Sequence, residues 1–336
     1  MTAAYTVPPI YAAFVWWFST GAVLLLVGRA GRFQLLSAFL GGSMLVAALA
    51  GLAITADDIS VGGAYTAFTC TILLWGAQEI AFLAGWLTGP RPQSCPPGVK
   101  GGKRLGLALQ AILYHEFGLL ASGAAVVALT WSGGNHVGVW TFAALWVLRQ
   151  SAKINLFLGV PVTNDELMPD AVRFLKTFFA RKPVSAFFPV SVTLATAVLV
   201  IMIQRIVEVA ATPFDVVGMT LVSTLFALGV VEHWFMLLPL PAITLWGWGM
   251  RSGFPPEDTT MKQEPDVKAA NTPPNLVVLS TVRPDAAPPR AAATCARQRL
   301  EDQFRQSFRE QHARDDLGTA LGLGAEPAAT ANGRTT

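Results

Sequence analysis

The chain has 336 residues, of which 53% are hydrophobic and only 13% charged, and its net charge is +3. A soluble globular domain carries about a quarter charged residues, so the composition argues against that class, and the small net charge lacks the strong basic bias of a nucleic-acid binder. Three cysteines are too few for a disulfide framework. Cys70 lies in an apolar run, Cys95 in a Pro-rich connector and Cys295 near the C-terminus, and all three are expected to be free thiols.

Apolar runs near twenty residues long can cross a hydrocarbon core of about 30 Å. They occur at 9–28, 34–54, 61–87, 105–131, 137–160, 186–210 and 214–238. The first twenty residues lack a basic n-region and a cleavage site, so the first run is expected to stay as a span. The fifth run is the weakest, because Arg149, Lys153 and Asn155 interrupt it. The connectors alternate in charge. The odd ones carry Arg29 and Arg32, then Arg91, Lys100, Lys103 and Arg104, then Arg173, Lys176, Arg181 and Lys182. The even ones carry Asp57 and Asp58, then only His136, then Glu208 and Asp215. Of the 13 Lys and Arg residues before position 251, only Arg205 falls near the acidic side. The positive-inside rule then puts the odd connectors in the cytoplasm and the N-terminus outside. Trp16, Trp17, Trp86, Trp131, Trp140, Trp246 and Trp248 fall near span ends, as in an aromatic belt.

Within the fifth connector, Pro169 suits the first position of a short helix. Val172, Leu175, Phe178 and Phe179 share one face of it, with Arg173 and Lys176 off that face. The pattern predicts a helix lying on the inner membrane surface; a loop helix packed on the bundle is the alternative. From Arg251 onward the composition changes to 11 basic residues, 11 acidic residues, nine prolines and many alanines. Such a segment has little with which to build a core and is expected to be mostly disordered. Within it, Leu300, Phe304 and Phe308 form a narrow stripe, read as a marginal solvated helix. The expected fold is therefore an all-α, polytopic membrane protein. It has about seven transmembrane helices in 1–250, a periplasmic N-terminus and a cytoplasmic tail over 251–336.

Ionisable side chains in hydrocarbon cost roughly 2.5–3.5 kcal/mol on insertion scales, so each requires a partner or a purpose. The set here is Glu79 on span three, His115 and Glu116 on span four, Arg149 and Lys153 on span five, and Glu232 and His233 on span seven. The helical rise puts Glu79 about 12 Å and His115 about 15 Å from the inner ends of their spans, so all seven share one leaflet. Arg149 and Lys153, four apart, share a helix face. Adjacent residues diverge by about 100°, so at most one of His115 and Glu116, and one of Glu232 and His233, faces a common centre. Two readings stay open: an ion-pair network that selects helix neighbours, and a polar site in which the imidazoles ligate a metal or a magnesium tetrapyrrole or the carboxylates relay protons. Several sharper chemistries fail. Position 119 is Leu, so His-Glu-x-x-His is absent. Four histidines are too few for a di-iron membrane oxidase, the last span has no lysine for a retinal Schiff base, and no phosphate-binding Gly loop follows a strand. Ala38 and Gly42, four apart, permit close helix contact.

The same segments carry a resemblance. Phe14-Val-Trp-Trp-Phe-Ser-Thr-Gly21, Gln78-Glu-Ile, Thr88-Gly-Pro-Arg, Cys95-Pro-Pro-Gly98, Ile112-Leu-Tyr-His-Glu116, Leu148-Arg-Gln-Ser-Ala-Lys-Ile-Asn155, Phe188-Pro-Val-Ser-Val-Thr193 and Glu232-His-Trp-Phe occur in this order. As a set, over about residues 5–250, they resemble the photosynthetic complex assembly protein 2 (PuhE) family of purple phototrophic bacteria. The resemblance implies a multi-pass inner-membrane protein encoded with reaction-centre genes. It further implies support for assembly of the reaction-centre and light-harvesting complexes, or for bacteriochlorophyll supply. No catalytic residue carries over, and the tail has no counterpart. The expected function is a non-enzymatic assembly factor that binds pigment, pigment-synthesis enzymes or nascent complex subunits. In that reading His115 and His233 are candidate ligands for bacteriochlorophyll or a precursor. The alternative is a membrane enzyme or transporter acting on a tetrapyrrole or lipid-like substrate, with Glu79, Glu116 and Glu232 as acid–base groups.

Overall fold

A computed structural model of the full chain describes residues 2–28, 30–238 and 242–250. The Pro- and Ala-rich segment from 251, with its Leu300, Phe304 and Phe308 stripe and Cys295, lies outside the described residues. Eight α-helices are present among those described. They are α1 (Thr2–Gly28), α2 (Ala30–Ile54), α3 (Val61–Leu83), α4 (Gly101–Thr130), α5 (Val137–Leu158), α6 (Phe187–Glu208), α7 (Pro213–Trp234) and α8 (Ala242–Met250). Two short 3-10 helices, Asp165–Leu167 and Asp170–Phe178, stand between α5 and α6. The described chain has no strand, only a single parallel bridge between Val160 and Arg181.

Six of the helices, α1 to α4, α6 and α7, are long and apolar enough to cross a bilayer, which makes this a multi-pass membrane protein. The fifth, α5, falls outside that set because Arg149, Gln150, Lys153 and Asn155 lower its hydropathy. It is nonetheless 22 residues long and packs on α3, α4, α6 and α7. The centre of the bundle is α3 and α7, whose buried faces meet each other and α5. Small residues set these approaches: Gly218 sits against Val137 and Ala64, and Gly229 against Leu148. Several buried hydroxyls return to their own helix, Thr71 to the Ala67 carbonyl, Thr141 to Val137 and Thr220 to Val216, so these three are satisfied within the tight packing. The outer helices turn apolar side chains outward, as Leu35, Phe39 and Val46 on α2 and Val190, Leu194 and Ile201 on α6 show.

Helix ends follow local chemistry. Ser60 caps α3 by accepting the Gly63 N–H, and Thr212 and Asp215 form a reciprocal capping box around Pro213 at the start of α7. The third helix stops at Leu83, short of the expected 87, because Gly85 takes a left-handed φ of 82°. The chain then folds back along α4. The Thr88 carbonyl accepts the His115 N–H at 3.0 Å, and Gly89 presses on the Gln110 and Ala111 backbone, where a β-carbon has no space. The fourth helix runs 30 residues, about 45 Å, and its first turns extend past the end of α3.

That extension is what the Asp170–Phe178 helix covers. Val172, Leu175 and Phe178 are buried against Phe82 and Ala111, with Leu107, Ala108 and Ile112 beside them. The segment therefore packs on the bundle, correcting the expectation of a helix with its apolar face in lipid. Arg104 of α4 pins it, donating to the carbonyls of Phe157 (3.2 Å) and Phe178 (2.5 Å). Trp246 and Trp248, two of the tryptophans read as belt residues, have protein partners. They sit on α8 and stack with Trp16, Trp17 and Phe18 of α1. Trp86, Trp131 and Trp140 are exposed near helix ends, as a belt requires.

In the connector between α5 and α6, Asp165 accepts from Thr163 (2.8 Å) and Arg181 (2.6 Å) and pairs with Lys176 at 3.4 Å. Burial raises its pKa, but the hydrogen bonds from Thr163 and Arg181, the Arg181 charge and the Lys176 contact outweigh this and bring it to about 2 from an ordinary 3.8. A depressed carboxyl contributes stability above its unfolded value and loses it as pH falls through the folded one. Asp165→Asn should therefore melt at a lower temperature than wild type at neutral pH in detergent. That difference should vanish as pH falls from about 4 to about 2; a gap unchanged across that window would refute the assignment.

Candidate functional site

The seven ionisable residues singled out above lie at one level of the bundle, near the C-terminal ends of α3, α5 and α7. Glu79 is four residues, about 6 Å, from the end of α3. This is closer to the helix end than the expected 12 Å, since α3 stops early at Gly85. The register supports the shared level: Ala64 of α3 meets Gly218 of α7, which brings Glu79 opposite 233.

Glu79 is buried, and its Oε2 accepts from Arg149 Nη2 at 3.1 Å. Glu116 accepts from Gln150 Nε2 at 2.7 Å and forms an ion pair with Lys153. Arg149 and Lys153 share the face that the spacing indicated, yet they serve different helices: Arg149 meets α3 and Lys153 meets α4. Glu232 is in direct contact with neither, since Arg149 pairs with Glu79 and Lys153 with Glu116. Its Oε1 accepts from the Trp16 indole Nε1 of α1 at 2.8 Å. His233 lies 2.7 Å from the Gly229 carbonyl through Nδ1 and 2.9 Å from Ser151 Oγ through Nε2. A carbonyl can only accept, so Nδ1 carries the hydrogen, and Nε2 shares a hydrogen with the Ser151 hydroxyl. His115 has no exposed surface, stacks on Phe82 with 4.1 Å between ring centroids, and has no hydrogen bond at either nitrogen among the described residues.

The residues thus form a chain of contacts. The hub is one turn of α5: Arg149 to α3, Gln150 and Lys153 to α4, and Ser151 to α7. The divergence of adjacent helix positions is visible in both pairs. His115 faces Phe82 while Glu116 faces α5, and Glu232 faces α1 while His233 faces α5. Sequence reasoning missed Trp16, Gln150 and Ser151. The last two lie inside the Leu148–Asn155 motif, but neutral side chains carry no desolvation signal of the kind that marks a buried charge. Other polar contacts extend the chain. Gln78 donates to Ser122 at 2.8 Å, and Asn155, fully buried, donates to Ser191 at 3.0 Å. Among the described residues, no three His, Cys, Asp or Glu side chains gather as a metal-holding group.

Chemically, a hydrogen-bonded charge pair across two helices selects those helices as neighbours and fixes their rotation. Both pairs here, with the Ser151–His233 bond, do this for α3, α4, α5 and α7. A family described as a protein of unknown function, DUF3623, matches residues 1–257. The chain belongs to this family. The match covers all the contacts above and ends just past α8. A relative from Rhodobacter capsulatus, named an uncharacterized 30.4 kDa protein in the puhA 5' region, is 40% identical over 256 residues, which is 75% of this chain and 93% of that protein. No solved structure matches.

The ion pairs make a measurable demand. Removing one partner of a buried pair costs about 3–5 kcal/mol because the other charge is left unpaired. Arg149 retains 42% side-chain exposure while Glu79 has 9%, which places Arg149→Met near the lower end, at about 3 kcal/mol. Adding Glu79→Gln should return a large part of that loss. Denaturation of wild type, both single variants and the double variant measures the coupling, and additive losses would show that the pair is idle.

Proposed function

We propose that this protein is a multi-pass inner-membrane assembly factor that supports formation of photosynthetic reaction-centre and light-harvesting complexes, or their bacteriochlorophyll supply, without performing catalysis itself. The observation that carries the reading is the 40% identical relative whose name places it in the puhA 5' region, which agrees with the PuhE resemblance of the ordered motifs. The proposal includes seven crossings, with α5 as the fifth, held in the bilayer by pairing its charges to α3 and α4. It also places the N-terminus in the periplasm, on the strength of the basic odd connectors.

The geometry bears on how such a factor works. A magnesium tetrapyrrole ligand needs an imidazole nitrogen with an open approach. Both nitrogens of His233 are hydrogen-bonded, and His115, whose nitrogens are unpartnered, is enclosed with Phe82 stacked on its face. The donor chemistry of His115 fits magnesium and its space does not. We therefore assign both histidines to the packing of the bundle, and read the factor as acting through protein partners. Glu79 and Glu116 are held in ion pairs, which supports the non-catalytic reading over acid–base chemistry on a tetrapyrrole or lipid-like substrate.

Deleting the gene in a phototroph should lower reaction-centre and antenna absorption in isolated membranes, with recovery on expression of the full chain. Absorption and pigment intermediates identical to the parent strain would overturn the reading.

A further inference from the structure

The charges of the cluster do not balance. Three carboxylates, Glu79, Glu116 and Glu232, face two cations, Arg149 and Lys153, and each cation is in direct contact with one of the first two. His233 is buried and its direct partners, the Gly229 carbonyl and the Ser151 hydroxyl, are uncharged, a setting that favours the neutral imidazole. His115 is buried with neither nitrogen hydrogen-bonded among the described residues, an unfavourable setting for a third cation. Glu232 is left with a neutral donor, the Trp16 indole, as its direct partner.

The groups around Glu232 can be named from every neighbouring helix. From α1 comes Trp16, from α3 Glu79 and from α5 Arg149, which is committed to Glu79. Along α6 there is no charged residue before Arg205, which lies at the opposite end, and α8 contributes Trp246, edge-on to Trp16 at 5.4 Å between centroids. Glu232 is exposed on the side of the bundle, but its level is not the rim of the spans. Past Trp16, α1 continues for twelve residues, about 18 Å, and positions 21–27 of that stretch are Gly-Ala-Val-Leu-Leu-Leu-Val. A negative charge at this depth requires a positive one in contact, and the nearest cation, Arg149, is in contact with Glu79 instead.

We propose that Glu232 is a proton-binding site within the membrane, its Oε1 held by the Trp16 indole and its Oε2 taking up and releasing a single proton. The atoms needed are those present: the carboxylate gains one proton and becomes the neutral acid, and its Oε1 still accepts from Trp16. Exchange at this one group moves the cluster between net −1 and neutral while both ion pairs stay intact. Because Trp16 also meets Trp246, the change is passed to the α1–α8 contact. This inference goes beyond the assembly role and stands or falls separately from it.

The test uses the full chain in lipid vesicles. Glu232→Gln, which mimics the neutral acid, should keep the wild-type melting temperature at neutral pH, whereas Glu79→Gln and Glu116→Gln, which break ion pairs, should melt lower. Infrared spectra over a pH titration should show a carboxylic-acid carbonyl band in wild type that is lost in Glu232→Gln and shifted in frequency in Trp16→Phe, which removes the indole donor. A Glu232→Gln protein that misfolds or melts as low as Glu79→Gln would overturn the proposal by showing that the charge is required. A wild-type protein without the band, or a band that survives Glu232→Gln, would overturn it as well.

Discussion

The constraint on which this structure depends is the single charged turn of α5. A helix carrying Arg149 and Lys153 among apolar neighbours cannot take an arbitrary place in the bundle, because each charge packed there without a partner is costly. Two carboxylates meet that demand, and they come from two different helices, Glu79 from α3 and Glu116 from α4. The turn therefore chooses the neighbours of α5 and its rotation together. Gln150 adds a second contact to Glu116 and Ser151 adds one to His233 of α7, so four nearby residues of α5 reach three helices. The charges that keep α5 below the hydropathy of a self-sufficient span are the ones that fix it in place.

This arrangement accounts for the distribution of small and polar residues elsewhere. Once α5 is tied to α3 and α7, close approach is needed along their length, and Gly218, Gly229 and Ala64 provide it. Beyond the cluster, the chain builds a cap from pieces of connector. The turn at Gly85 sends Thr88 and Gly89 back along α4, and the Asp170–Phe178 helix closes over the same helix, held by Arg104 and the Asp165 contacts. The cluster thus lies between a packed apolar bundle and a packed apolar cap. The outer helices α2 and α6 present apolar side chains that suit a lipid surface.

Much of the fold was legible in the residues, for identifiable reasons. The six apolar helices were visible because crossing a bilayer leaves a length and composition signature that no other demand imitates. Glu79, Glu116, Arg149 and Lys153 stood out because buried charge is rare enough to be informative on its own. The helix at 170–178 was expected from Pro169 and its apolar spacing, but the same spacing suits a lipid surface and a protein surface equally. Which one it meets depended on how far α4 projects past α3, a consequence of the positive φ at Gly85. The contact of Trp246 and Trp248 with α1 was not legible for a related reason: an indole is equally at home in an interfacial belt and against another helix.

The sequence by itself determined the class of the protein, the rough positions of its apolar spans and the identity of the charges that had to be satisfied among them, because these follow from transfer free energies that each residue carries wherever the chain goes. The pairings were decided only in the tertiary structure. Nothing local indicates that Arg149 meets Glu79, that Lys153 meets Glu116, that Glu232 turns to Trp16 some 216 positions away, or that His115 ends enclosed on Phe82. Those choices depend on the rotation of each helix about its axis, and with adjacent residues about 100° apart, a modest rotation exchanges one partner for another.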